Sequence, residues 1–162
     1  MYVKIPKNLK LVVFDIDFTI QNAHSIHMPL HVLNILQFFR KSNVCMVIAS
    51  LNQCAPAVLQ IHKVYHLFHC VEYRPHLSRC KTDDQIDEYF SLKKTQMFQR
   101  LSQKYNVKYD EMLFFDDSVL NIVDAKELGI KSVCVNPNNL ITWKNVQDGL
   151  ALFDKRKRRY SQ

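Results

Sequence analysis

The sequence predicts an α/β fold, a three-layer sandwich on a central parallel sheet of five strands, from three observations. Short apolar runs alternate along the chain with amphipathic stretches of helical length, the pattern of βαβ units. Three of those runs end on polar side chains of related chemistry: LVVF on Asp15 and Asp17, VCMVIA on Ser50, and MLFF on Asp116 and Asp117. Only two glycines, Gly129 and Gly149, occur among the 162 residues, which excludes the glycine-rich phosphate loops of mononucleotide and dinucleotide sites.

Taken in order, LVVF at 11–14 is apolar at every position, as suits a strand buried on both faces. Residues 21–28 read as a polar turn or small flap. Pro29 fits the first position of a helix, with Val32, Leu33, Leu36, Phe38 and Phe39 as its buried side up to about Lys41. A second strand runs from Val44 to Ala49 and ends on Ser50. A helix is expected over about 55–68, and HCVEY at 69–73 is a short third strand. Residues 74–91 lose periodicity and read as a surface loop with a single helical turn, its acids Asp83, Asp84, Asp87 and Glu88 solvated or placed for recognition at the rim of a site. From Lys93 onward, Met97, Phe98, Leu101 and Tyr105 share one helical face. EMLFFDDS is the fourth strand. Ser118 can cap the next helix, and Gly129 sits where a helix C-terminal glycine belongs. KSVCVN is the fifth strand, and a last helix is expected over 140–153.

A chain of this length fits one domain, here 1–153, with a basic tail at 154–162. It is long enough to remove roughly 70% of its unfolded surface from water. The net charge is +7, of which the tail, five Lys and Arg against Asp154, carries +4. The remaining body tolerates anionic substrates without demanding that its whole surface bind nucleic acid. Five cysteines, an odd number with no C-x-x-C spacing, and the absence of a membrane-length or signal-like apolar segment imply a reducing, intracellular and cytoplasmic setting. KRKRR at 155–159 is a candidate nuclear-import or polyanion-binding segment. His24, His27 and His31 invite a metal reading, but Pro29 breaks the helix that would align them. His62, His66 and His69 read as one helix face.

The chemistry gathers at the carboxyl ends of strands, where open α/β sheets bind ligands. Two carboxylates one residue apart, as Asp15 and Asp17 are, repel each other unless a cation, a shared proton or a proton-transfer task accounts for them. A catalytic phosphate site satisfies all three.

Four motifs in order resemble the haloacid dehalogenase superfamily of phosphatases. D-x-D-x-T is met by Asp15, Asp17 and Thr19; a strand-ending hydroxyl by Ser50; a lysine opening a helix by Lys94, with Lys93 as its neighbour; and the acidic pair by Asp116 and Asp117. The stretches VFDIDFT, KTQMFQRL and LFFDDSVLNIVDAKELGI are most similar to the magnesium-dependent phosphatase branch. The resemblance implies a Rossmann-like fold without a large cap domain, since about 30 residues between the first two motifs leave no room for one. It also implies a Mg²⁺-dependent phosphomonoesterase. In that scheme Asp15 is the nucleophile and becomes an aspartyl-phosphate, and Asp17 is the general acid and base. Asp15, the backbone carbonyl of Asp17 and Asp116 hold the metal.

Ser50, Leu51 and Lys94 are the phosphate-binding candidates. Leu51 and Asn52 stand where the branch carries arginine and a second hydroxyl. Thr19, Asp117 and Asn121 are supporting positions, Asp117 either as an outer partner of the metal or as an orienter of Lys94. The expected partner is a phosphorylated substrate, preferably a phosphoprotein with phosphotyrosine among the choices. The alternatives are a sugar phosphate, nucleotide or nucleic-acid end, the last favoured by the basic tail, or a non-catalytic binding module on the same fold. No membrane partner is expected.

Overall fold

The computed structural model describes residues 3–22, 25 and 27–154. Five strands, β1 (Leu11–Phe14), β2 (Cys45–Ser50), β3 (Cys70–Tyr73), β4 (Met112–Asp116) and β5 (Lys131–Cys134), form one sheet. Its order is β3-β2-β1-β4-β5 and every pairing is parallel. The helices are α1 (Leu30–Arg40), α2 (Ala55–Ile61), α3 (Asp83–Ser91), α4 (Lys94–Tyr105), α5 (Val119–Glu127) and α6 (Trp143–Ala151).

Period-two alternation along fully buried strands builds two cores. Val12 and Phe14 of β1, Met46 and Ile48 of β2, and Leu113 and Phe115 of β4 face α1 and α6, where they meet Val32, Ile35, Leu36 and Phe39 and then Val146 and Leu150. Phe14 stacks on Phe115 at 5.6 Å between ring centroids and meets the edge of Phe39 at 5.7 Å. Leu11, Val13, Val47, Ala49, Met112 and Phe114 face the opposite way onto Met97, Phe98 and Leu101 of α4 and Ile122 and Ala125 of α5. Each fully buried side chain of this size contributes about 1.5–3 kcal/mol. The sheet centre, where β1 and β4 pair, is therefore the least deformable part of the molecule, and Asp15 and Asp116 leave it side by side.

Local structure differs from the sequence expectation at several places. Pro29 is extended (φ −60°, ψ 143°) and precedes α1 instead of opening it, because a fixed φ and a missing N–H suit a flanking position equally well. Ile35 joins the buried side of α1, while Leu33 and Phe38 are only partly buried. α2 stops at Ile61, since Lys63 adopts a left-handed φ of 57°, and a separate 3-10 turn covers Tyr65–Leu67. His69 then lies just before β3, its Nδ1 accepting the Met46 N–H at 3.0 Å, and shares no helix face with His62. Residues 74–91, expected as a loop with one helical turn, hold a 3-10 turn (Leu77–Arg79) and the nine-residue α3. Thr82 caps α3 by accepting the Gln85 N–H, and Asp83 and Asp84 complement the positive end of its dipole. No residue of α3 is buried. The last helix begins only at Trp143, after Leu140 at φ 56° and a Thr142 cap.

The five cysteines are free. Among the described residues, no helix is long and apolar enough to cross a membrane. His24 and KRKRR at 155–159 lie outside the described residues.

Candidate active site

Asp15 continues the line of β1, its backbone N–H donating to the Phe115 carbonyl at 3.0 Å. The chain then winds tightly around one acceptor. The Ile16 carbonyl takes the N–H groups of Thr19, Ile20 and Gln21 at 3.0–3.2 Å, and Phe18 reaches φ 58° to close the turn through its own N–H to the Gln21 carbonyl at 2.8 Å. Asp15 and Asp17 thus project from a short rigid loop at the carboxyl edge of the sheet. Thr19 lies beneath it, fully buried. Its hydroxyl accepts the Asp117 N–H at 3.1 Å and makes a long 3.5 Å contact to Asp15 Oδ2.

Asp116 ends β4 and is completely buried. Its Oδ1 accepts the Ser118 N–H at 2.7 Å, and its Oδ2 accepts Asn121 Nδ2 at 3.1 Å and Lys94 Nζ. Ser118 in turn caps α5 on the Asn121 N–H. Lys94, the first residue of α4, is 3% exposed and also donates to Asp15 Oδ1 at 2.6 Å. A lysine at a helix N-terminus faces an unfavourable dipole, and burial adds to that cost. The two carboxylates it bridges account for its place. Lys93 is exposed, and Lys94 is the one of the two that enters the site.

Ser50 closes β2, 1% exposed, with its Oγ accepting the Asn52 N–H at 3.2 Å. All the sequence-derived site residues except Thr19 line one cavity of about 310 Å³, together with Phe18 and Asn52. A second cavity of about 350 Å³ lies beside α3, with Arg79, Arg100, Glu88 and Tyr89 in its wall. It holds a single acid, Glu88, and one thiol, Cys80, whereas the smaller cavity gathers four carboxylates around Lys94.

Electrostatics single out one imbalance. The carboxylate oxygens of Asp15, Asp116 and Asp117 lie within 4.8 Å of one another, the one such group of three potential metal ligands among the described residues. With all three ionised, the set would carry two negative charges beyond what Lys94 compensates. Burial pushes the Asp15 carboxyl up to about 7, Lys94 opposing the rise and Asp116 adding to it. Asp117 is raised as well, by burial and then by Asp116. Oxygen-only donors with a double negative excess fit a small, hard divalent cation. The Asp17 carboxylate is not in this group; it is turned toward Gln21 and Asn52. Gln21, Asn52 and Phe18 are site residues that sequence reasoning missed, since amides and one aromatic carry no spacing signal of their own.

The acid phosphatase family model matches residues 21–156, beginning just after the Asp15–Thr19 loop. Over 58 residues the chain is 38% identical to magnesium-dependent phosphatase 1 of Homo sapiens, a stretch that is 36% of this chain and 32% of that protein. The chain therefore spans about a third of the length of the curated relative it matches. Among solved structures it is similar to a haloacid dehalogenase-like hydrolase from Streptococcus pneumoniae, with a TM-score of 0.63 at 11% identity, covering 92% of this chain and 100% of that one. It is also similar to β-phosphoglucomutase from Clostridium difficile, with a TM-score of 0.55 at 14% identity, covering 76% and 56%. At such identities the structures speak for the fold.

Proposed function

The chain belongs to the acid phosphatase family, on the haloacid dehalogenase fold, and from that premise we propose that it is a Mg²⁺-dependent phosphomonoesterase working through an aspartyl-phosphate on Asp15. The observation that carries this reading is Lys94 bridging buried Asp15 and Asp116 on the floor of a cavity that also holds Asp117 and Asp17. Asp15, Asp116 and the Asp17 carbonyl would hold the ion, with Asp117 beside it. Bound there, Mg²⁺ would supply positive charge that screens the acids from an anionic substrate and stabilises the transferring phosphoryl group.

The protein's own groups divide the work. An Asp15 oxygen attacks phosphorus while the bond to the leaving oxygen breaks, and Asp17 gives that oxygen its proton. Asp17, now ionised, takes a proton from water as the water attacks the same phosphorus; the bond to Asp15 breaks and inorganic phosphate leaves. Lys94 and the Ser50 hydroxyl bind the equatorial oxygens, where charge collects. Leu51 lines the same wall.

The preferred substrate is a phosphoprotein, with phosphotyrosine as the chosen residue. Phe18, 39% exposed on the cavity rim, and the exposed Val119 and Leu120 at the start of α5 offer apolar surface to an aromatic ring. The basic KRKRR segment supports a second reading, in which a nucleic-acid end is the substrate and the protein enters the nucleus. Phosphate release would be measured from a phosphotyrosine peptide, a phosphoserine peptide, a sugar phosphate, a nucleotide and a 5′-phosphorylated oligonucleotide, with Mg²⁺ or EDTA, for the wild type and Asp15→Asn. The expected result is Mg²⁺-dependent release, fastest from the phosphotyrosine peptide and absent in the variant. A wild type inert toward the whole panel would leave only the non-catalytic binding module.

A further inference from the structure

The Asp17 carboxylate is gripped on both sides by side-chain amides. Gln21 Nε2 donates to Oδ1 at 2.6 Å, and Asn52 Nδ2 donates to Oδ2 at 2.8 Å. The donors come from separate elements, Gln21 from the turn after β1 and Asn52 from the loop after β2. Each is itself held. Gln21 is 6% exposed, and its carbonyl accepts the Phe18 N–H that closes the turn. Asn52 uses its side-chain oxygen to accept the Cys54 N–H at 2.8 Å, while its backbone N–H donates to Ser50 Oγ. That oxygen cannot change places with the nitrogen without losing both side-chain bonds, so the Asn52 amide presents its N–H₂ to Asp17.

The torsion that aims an aspartate carboxyl group is soft and broad. Two donors on opposite oxygens remove that freedom. They occupy one acceptor site on each oxygen, and a carboxylate has about two per oxygen, so a site stays open for a travelling proton.

We propose that Gln21 and Asn52 are positioning residues for proton transfer, locking the Asp17 carboxyl group in the one orientation that faces the leaving oxygen of a phosphate monoester seated on Asp15. The proposal rests on the assignment of Asp17 as the acid and base of the phosphatase reaction. Asn52, which takes the place of a hydroxyl in the motif of the magnesium-dependent branch, thereby acts on the acid in place of the substrate.

The test exploits leaving-group chemistry. An alkoxide needs a proton to depart, whereas p-nitrophenolate departs unaided, and kcat/KM reports only steps up to the first departure. Asn52→Leu removes the donor. Asn52→Ala also removes it without adding charge to the cavity. Gln21→Leu probes the other arm. With Mg²⁺ present, each variant is expected to lose about 30-fold or more in kcat/KM on ethyl phosphate but less than about 3-fold on p-nitrophenyl phosphate, because a placed general acid contributes on the order of 10²–10⁴. A thermal melt of each variant checks that it folds. Equal losses on both substrates from active wild type would overturn the clamp and leave the phosphatase reading standing. A wild type that hydrolyses neither substrate would overturn that reading and the clamp with it.

Discussion

Thr19 Oγ1 accepts the backbone N–H of Asp117 at 3.1 Å, tying the loop after β1 to the loop after β4 across 98 residues of sequence. A buried hydroxyl thus links the two acidic motifs beyond the β1–β4 pairing. Thr19→Val keeps the shape and orphans the Asp117 N–H, so stability should fall by about 1–3 kcal/mol. Urea unfolding with EDTA measures that loss. Thr19→Ser should recover most of it, and full stability in the valine variant would show that the bond does not organise the loops.

Lys94 is the one cation among the site residues that the two buried carboxylates share. Lys94→Met leaves both without their partner, and breaking a buried ion pair from one side costs about 3–5 kcal/mol. Loss of a cation aimed at developing charge should also lower kcat by about 10²–10³-fold. Denaturant midpoints in EDTA and steady-state rates in Mg²⁺ read the two effects separately.

The raised Asp15 carboxyl makes stability depend on pH in a defined direction. In metal-free protein the folded state keeps the Asp15 proton up to about 7, whereas the unfolded chain releases it near 3.8. Between those values the folded state binds more protons than the unfolded one. The stabilisation is therefore complete below the unfolded value and is lost as pH rises through the folded one, about 2 kcal/mol of it between pH 5.5 and 8. Unfolding in EDTA at these two pH values should show the fall, and Asp15→Asn should flatten it. Saturating Mg²⁺ should raise stability most at the higher pH, since the ion binds the deprotonated site.

Gly149 lies on the face of α6 that meets β4. A Cβ there would stand 2.9 Å from Leu113 Cδ1 and 3.3 Å from Phe115 Cζ, both on fully buried side chains. Gly149→Ala would gain about 1 kcal/mol of helix propensity. Overpacking of a rigid core costs about 1–3 kcal/mol. The net expectation is a loss of about 1 kcal/mol in a denaturant melt, and a stabilised variant would mean that α6 can ride outward freely.

The strands and their order of chemistry were legible in the sequence because an unbroken apolar run closed by a polar residue has few other meanings, and β1, β2 and β4 all have that form. The helices that pack on the sheet were legible through apolar periodicity, as at Met97, Phe98 and Leu101. α3 was not, because a helix with no buried residue leaves no periodic apolar trace, although Thr82 followed by two aspartates is a start signal of its own. The end of α2 depends on a left-handed Lys63, a conformation that nothing in the residue type announces. In the site, Asp15, Ser50, Lys94 and Asp116 could be named from motif order. The proximity of Asp117 to Asp15 and the grip of Asn52 on Asp17 depend on loop geometry between distant residues, which spacing does not encode.

With no buried residue, α3 lacks the apolar anchoring that holds the other helices to the sheet. The sheet and its packed helices unfold together, whereas α3 is held by its own backbone bonds, the Thr82 cap and surface contacts such as Tyr89 to Gln53. It can open and close locally without drawing on the global unfolding free energy. Three residues after α3 ends, Lys94 is locked between two carboxylates. A helix held only at the surface therefore adjoins an anchored charge, and the cavity walled by Gln85, Glu88 and Tyr89 rests on the less firmly held of the two.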